Sequence, residues 1–386
     1  MILDENKHLL THDLEVIFPE IKKIKKKTTF LTSPIYLQHK TAIDSVLNGI
    51  EWDNTISEAS PKDTIKVLTW NIERGKKLDE TIAYIKNSKT LSSVEVFLAI
   101  ETDNGMGRSR NRNVAKELAE ALGMNYCFVP SYIVLGKGAQ GETNHNEKNT
   151  LALHGTAILS KFKINEAFNV PVPPVKEVFH SSEKRLGCKS GVTAKIEVGN
   201  KTIAIGAIHI DLSSSAQQRA NQLEAIVNNL PEANMQLVGG DWNTSTFNLK
   251  SMPKLLRQVV YKLVTIGFRK SVEHYMTPDE KFEKPLFDML KNKGFDYNSY
   301  SDATKGTIYY DLNDMLTNEK TKNHLPKFVQ NELKRRLKPW NCCVPLRVDW
   351  MAGKNGTPVN KLVIEKPQVD GIALSDHNPI LVDLKL

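Results

Sequence analysis

Short apolar runs of strand type alternate with helical stretches from Asp63 onward, so strands and helices are both expected, and the α+β class is what the motifs set out below imply for them. Two further observations point the same way. Five polar clusters are scattered along the chain, and four of them follow directly on strand-type runs, so their side chains stand at strand ends. With 386 residues and 40% hydrophobic content, the chain can bury a full core in one large or two ordinary domains.

Residues 1–62 read as a basic N-terminal segment. Ile21–Lys27 carries five lysines in seven positions, either as a solvated helical face or as an electrostatic contact, through Lys22–Lys27, to nucleic acid or an anionic membrane. A catalytic domain is expected over 63–386. Its first strands are Ile65–Leu68 and Val94–Leu98, followed by a helix over Asn113–Leu122 that stops at Gly123. Leu135–Leu151, rich in Gly, Asn and Glu, reads as a mobile loop. The strand Ile203–Ile208, a helix over Ala216–Leu230 closed by Pro231, and the strand Gln236–Val238 come next. An enlarged helical region at about 247–345 holds candidates at Met252–Thr265, Lys284–Lys293 and Leu325–Leu337.

A net charge of +8 and a pI near 9.0 favour a polyanionic partner: nucleic acid, an anionic membrane or a phosphorylated metabolite. Cys127, Cys188, Cys342 and Cys343 form no CxxC spacing, so neither a zinc site nor a disulfide framework is expected. No run approaches the roughly 20 apolar residues of a membrane helix, and the first residues lack the order of a signal peptide. A cytoplasmic location is the expectation.

The clusters are Thr69–Glu73, Ala99–Glu101, Ile208–Asp211, Gly239–Asn243 and Ser375–Pro379. Their carboxylates, amides and imidazoles suit a hard divalent cation and phosphate chemistry. Magnesium needs only one or two carboxylates and an amide oxygen from the protein, and Asn71 and Glu101 fit; Mn²⁺ is the alternative. Glu73, two residues beyond Asn71, is expected to share its face as a further ligand. Asp241 and Asn243 sit on one face, where they can orient a water. His209 and His377 supply donors to phosphate oxygens, with Asp349 orienting His377. Arg108, Arg110 and Arg112, close together after the Glu101 strand, are the expected phosphate grip, and Arg74 lies beside the metal strand.

In this order the clusters resemble those of the endonuclease/exonuclease/phosphatase superfamily, the DNase I-like hydrolases, over about residues 63–386. The resemblance implies a two-layered β-sandwich of mixed sheets flanked by helices, with the site at one rim. It also implies metal binding by Asn71 and Glu101, alignment of water and phosphate by Asp241 and Asn243, a metal- or water-linked Asp376 and a phosphate-binding His377. Arg347-Val348-Asp349-Trp350 resembles the family element whose Asp pairs with that His. His154–Ser160 and the step from His209 to Arg219-Ala220-Asn221-Gln222 are weaker echoes.

The resemblance does not select a substrate. The Pro-x-Trp-Cys-Asp-Arg signature of inositol 5-phosphatases is absent at Pro339-Trp340-Asn341-Cys342, and His209 stands where abasic-site endonucleases commonly have Asn. The expected activity is a metal-dependent phosphodiesterase or nuclease. A phosphomonoesterase or lipid-head-group phosphohydrolase, of phosphoinositide or sphingomyelin type, is the alternative, and a non-catalytic phosphate-ligand module the third reading.

Overall fold

Consecutive side chains of the strand Val96–Asn104 enter different cores: Val96, Leu98 and Ile100 pack into one, Phe97 and Ala99 into another. A strand apolar on both faces has to lie between layers. The computed structural model describes residues 1–3, 5–56, 59–139, 142–244, 267–311 and 327–386. Its strands, in chain order, are β1 (Lys7–His8), β2 (Glu51–Asp53), β3 (Thr64–Arg74), β4 (Val96–Asn104), β5 (Asn125–Val134), β6 (Leu153–Ser160), β7 (Ile164–Pro171), β8 (Arg185–Gly187) and β9 (Ser190–Val198). They continue with β10 (Lys201–His209), β11 (Met235–Asp241), β12 (Ile308–Asp311), β13 (Cys343–Leu346), β14 (Asp349–Lys354), β15 (Thr357–Val363), β16 (Gln368–Val369), β17 (Ile372–Ala373) and β18 (Ile380–Lys385).

Among the described residues one sheet runs β1-β2-β5-β6-β4-β3-β18-β15, with β8 beside β5, and a second runs β14-β11-β10-β9-β7. Both are mixed: β3–β4 and β10–β11 are parallel, and their other neighbours antiparallel. The sheets close on one core, to which the first gives Val67, Leu98 and Val129 and the second Val192, Ile205 and Leu237. Helices Pro34–Leu47, Leu78–Asn87 and Val114–Leu122 cover the outside of the first sheet through Ile43, Ile85 and Leu118. Helices Ala216–Asn228 and Lys284–Asn292 cover the second, with Leu223 and Phe287 packed about Val238 and Trp350. This is the two-layered, helix-flanked sandwich expected.

Local signals account for the helix ends. The Asn113 side chain accepts from the Lys116 N–H, and Gly123 takes φ 63°, the left-handed conformation that ends a helix. Ser215 and Gln218 form a reciprocal capping box. The expected helices at Lys284–Lys293 and Leu325–Leu337 occur as Lys284–Asn292 and Lys327–Leu337, whereas Met252–Thr265 lies outside the described residues.

The basic N-terminal segment joins the first layer. Leu14, Ile17, Phe18, Ile21 and Phe30 enter its outer core, and β2 pairs with β5 in the register Trp52↔Cys127. The five lysines of Lys22–Lys27 stay exposed while Ile21 is buried. Glu51 fastens this arrangement. Its Oε2 accepts from the Leu10 N–H at 3.0 Å and from Asn104 at 3.3 Å; Oε1 accepts from Asn113 at 2.6 Å and from the Tyr126 hydroxyl at 2.8 Å. Replacing a buried acceptor of this kind strands its donors, so Glu51→Ala should cost about 3 kcal/mol in urea unfolding. A loss well under 1 kcal/mol would show that these four contacts do not hold the segment.

Candidate active site

Strand register assembles one rim. In the second sheet His209 pairs with Asp241 and Asp241 with Asp349, so the three stand in a row on neighbouring strands. Each continues the face that packs into the sandwich, His209 after Ile203, Ile205 and Ala207, and Asp241 after Leu237. Gly240 takes φ 137°, and a side chain there would run into the Ile208 carbonyl, which explains the Gly-Gly step before Asp241. From the first sheet, Asn71 donates Nδ2–H to Asp241 Oδ2 at 3.2 Å and so joins the layers.

His377 comes from the loop before β18. Trp70 donates Nε1–H to its carbonyl at 2.9 Å, and Ser375 Oγ accepts its N–H at 3.1 Å while donating to the Asn71 carbonyl at 2.6 Å. Asp349 Oδ2 lies 2.8 Å from His377 Nδ1, leaving Nε2 at 3.8 Å from Asp241 Oδ2. His209 Nε2 approaches the same oxygen at 3.3 Å. Burial disfavours the imidazolium of His377, but Asp349 and Asp241 outweigh it and hold the ring well above the ordinary histidine value. His209 goes the other way, because burial and then Lys189 press it well below. Burial, with Asp349 adding repulsion, pushes Asp241 up to about 7 although His377 opposes it.

Glu101 reaches the site through a distortion. Alternation would place it with Phe97 and Ala99 on the outer face, but a register shift between Ile100 and Thr102 and φ 59° at Glu101 turn it inward. There its carboxylate lies 3.4 Å from Arg74 and 3.5 Å from His209 Nδ1. Burial opposes its charge, yet Arg74 and His209 hold it well below the usual carboxylate range. Glu73 does not share the face of Asn71 as expected. Glu73 and Arg74 have φ of 49° and 69°, so the strand turns: Glu73 pairs with Lys76, and Arg74 takes the inward place. Asn243 donates its N–H to Asp241 Oδ1 at 2.9 Å and Nδ2–H to the Ile210 carbonyl at 2.8 Å, and Asp376 is exposed at the lip.

The row opens into a cleft of about 680 Å³ lined by Arg74, Glu101, His209, Asp241, Asn243, Asp376 and His377. Among the described residues Asp241, Asp349 and His377 also offer ligand atoms within 4.8 Å of one another. No family model matches this chain, and no curated protein does. Solved structures do. The endonuclease/exonuclease/phosphatase of Beutenbergia cavernae aligns over 84% of this chain and 72% of its own, at 14% identity and a TM-score of 0.51. The chain has the endonuclease/exonuclease/phosphatase fold. Structures of that description from Bacteroides vulgatus (12% identity, 84% of this chain, 100% of the other, TM-score 0.49) and Leptotrichia buccalis (15%, 83%, 100%, 0.47) are similar too.

The arginine loop of this endonuclease/exonuclease/phosphatase fold is not the phosphate grip expected of it. Arg108 is buried and spent: Nε donates to Asp103 at 2.7 Å, and Nη1 to Glu183 at 2.7 Å and Glu142 at 3.2 Å. Arg112 pairs with Asp79 and Glu117, and Arg110 is exposed and does not line the cleft. Of the acids that consume Arg108, Asp103 lies five residues before it, but Glu142 and Glu183 come from distant segments, which local spacing cannot show. The loop over Leu135–Leu151, of no assigned role, supplies Glu142, which also meets Arg74 at 3.1 Å. The basic lining of the cleft comes instead from Arg74 and from Lys176, Arg185 and Lys189, the last three not among the residues expected at the site. The spacing of Arg185 and Lys189 carries no strand signal, since Arg185 lies on β8 and Lys189 beyond its end, past Gly187 at φ 99°.

Burial raises Asp103, but Arg108 and His154 bring it down to about 2. A depressed carboxylate stabilises the fold above its ordinary value near 4, and that contribution is lost as pH falls toward 2. Arg108→Ala should therefore cost about 3–5 kcal/mol and move acid unfolding to higher pH, measured by circular dichroism. Unchanged stability together with weakened substrate binding would return Arg108 to substrate recognition.

Proposed function

We propose that this protein is a metal-dependent phosphoesterase, and foremost a phosphodiesterase or nuclease, in which water attacks phosphorus in line with the leaving group. The observation that carries the reading is Asp241, set between His209 and the His377–Asp349 pair and tied to Asn71 across the sheets. Its value near 7 suits a group that takes a proton from water at neutral pH. Asn243, held by the Ile210 carbonyl, orients that water. His377, kept charged by Asp349, donates Nε2–H to a nonbridging phosphate oxygen, and neutral His209 takes the opposite side.

The oxygen donors fit a hard divalent cation, since Glu101 is a half-buried acid and Asp241 a buried one, neither paired with a lysine among the described residues, and Asn71 adds an amide oxygen. Asn71 and Glu101 would hold Mg²⁺ or Mn²⁺, with Asp376 nearby and Glu73 turned away. Bound there, the cation would stabilise charge on the phosphoryl oxygens and leaving group. The net charge of +8 and the basic wall favour nucleic acid as substrate. A lipid head group or phosphomonoester is favoured by a different feature, the apolar wall of Leu212, Tyr275, Leu337, Val344 and Val348.

Hydrolysis of bis(p-nitrophenyl) phosphate, p-nitrophenyl phosphate and labelled DNA and RNA separates these substrates. Activity should need Mg²⁺ or Mn²⁺ and vanish in EDTA. Asp241→Asn should lower kcat by about 10³-fold or more with the melting temperature little changed, and wild-type turnover in that variant would sink the assignment. Asp349→Asn should lower kcat by about 10²–10⁴-fold and bring the pH profile of His377 down toward the ordinary histidine range. An unmoved profile would remove Asp349 from its positioning role.

A further inference from the structure

The cleft contains a cation for which the catalytic scheme has no use. Lys189 is only 8% exposed, lines the cleft, and among the described residues makes no hydrogen bond or ion pair through its ammonium. Its backbone is fixed, since the Lys189 carbonyl accepts from the Val172 N–H at 3.0 Å. The nearby Asp211 is engaged elsewhere, with Oδ2 accepting from Gln222 at 2.9 Å. The Lys189 ammonium borders the cleft, where Asp211 and Glu101 act on it only without direct contact, so an anion entering the cleft meets a poorly hydrated cation with no direct partner among the described residues.

Arg185 stands on the same wall. Its guanidinium lies 4.9 Å from the Tyr132 ring centroid and pairs with Glu183 through Nη2, while its Nε–H is buried without a hydrogen-bond partner among the described residues. Buried Lys189 and half-buried Arg185 therefore stand on one wall of the cleft that also holds His209 and Asp241, each with a donor that no described residue takes up. Planar donors on Arg and a point charge on Lys are what a phosphate group takes.

We infer that Lys189 and Arg185 form a second phosphate subsite, which holds a phosphate of the substrate adjacent to the one being hydrolysed. The inference rests on the phosphodiesterase reading for its substrate, though not for its ligand. Burial, with Arg185 beside it, presses Lys189 down to about 8, so it still carries its charge at neutral pH, and a bound phosphate would hold that charge more firmly. The adjacent phosphate is either the next diester of a strand or a terminal monoester.

The test compares d(TpT), d(TpTpT) and 5′-phosphorylated d(pTpT) as substrates of the full chain. Wild type should prefer the forms with an extra phosphate by about tenfold or more, chiefly through KM, and Lys189→Met should bring that preference near one while Lys189→Arg restores part of it. Preference for d(pTpT) alone identifies a terminal phosphate; preference for both identifies the strand. Independently of turnover, pyrophosphate in EDTA should bind wild type in calorimetry and bind Lys189→Met at least tenfold more weakly. The melting temperature of Lys189→Met should equal or exceed that of wild type, since an unpaired buried charge is removed. A lower melting temperature, equal loss on all three substrates or unchanged pyrophosphate affinity would overturn the subsite. If no dinucleotide is cleaved but pyrophosphate binding still depends on Lys189, the subsite stands and the phosphodiesterase reading falls.

Discussion

The hydrogen bond from Asn71 to Asp241 crosses from one sheet to the other, and the rim depends on the alignment that allows it. Asn71 is carried by β3, between β4 and β18 in the first sheet, and Asp241 by β11 in the second. For the two to meet, the sheets must pack with those strand ends level, which the shared core of Val67, Leu98, Leu237 and Met351 enforces. Ser375 adds a second tie by donating to the Asn71 carbonyl, so the loop bearing His377 is anchored to the same residue. Shifting either sheet would separate the amide, the carboxylate and both imidazoles at once.

Electrostatics then divides similar groups between different tasks. His209 and His377 both approach the same oxygen of Asp241, but Asp349 sits behind only one of them. Burial acts on both rings in the same direction, and the partner decides: with Asp349 His377 keeps its proton, and beside Lys189 His209 loses it. The carboxylates diverge similarly. Glu101 has Arg74 to hold it charged, whereas burial, with Asp349 close by, pushes Asp241 up to about 7. A site with one firm acid, one firm base and one carboxylate near neutrality is equipped to move a proton at neutral pH.

Much of the fold was legible because both strand faces are apolar and the helix ends carry their own signals, Asn113 and Gly123 on one helix and Ser215 with Gln218 on another. Asn71, His209, Asp241 and Asn243 were legible because their clusters follow strand-type runs, whereas His377, in the loop before β18, was marked by the resemblance of Ser375–Pro379 to the family element. The arginines were not. Whether Arg108 faces substrate or is consumed depends on Asp103, Glu142 and Glu183, which lie far apart in the chain and converge only on folding. Lys189 went unnoticed for the converse reason, since a lone lysine on a short extended run looks solvated until the cleft closes about it.

The sequence by itself determined which residues could serve: the order of the strands, the acids, amides and imidazoles at their ends, and the glycines that Asp241 needs before it. Tertiary structure decided which of them face inward. Strict alternation would send Glu101 to the outer face and keep Glu73 within, and the folded chain does the reverse. Positive φ at Glu101, and at Glu73 and Arg74, swaps their faces. An L-residue adopts that conformation only where surrounding contacts outweigh its cost of about 1–3 kcal/mol, and those contacts, with β6 and with Arg74, Glu142 and His209, belong to the assembled layers and not to any one segment.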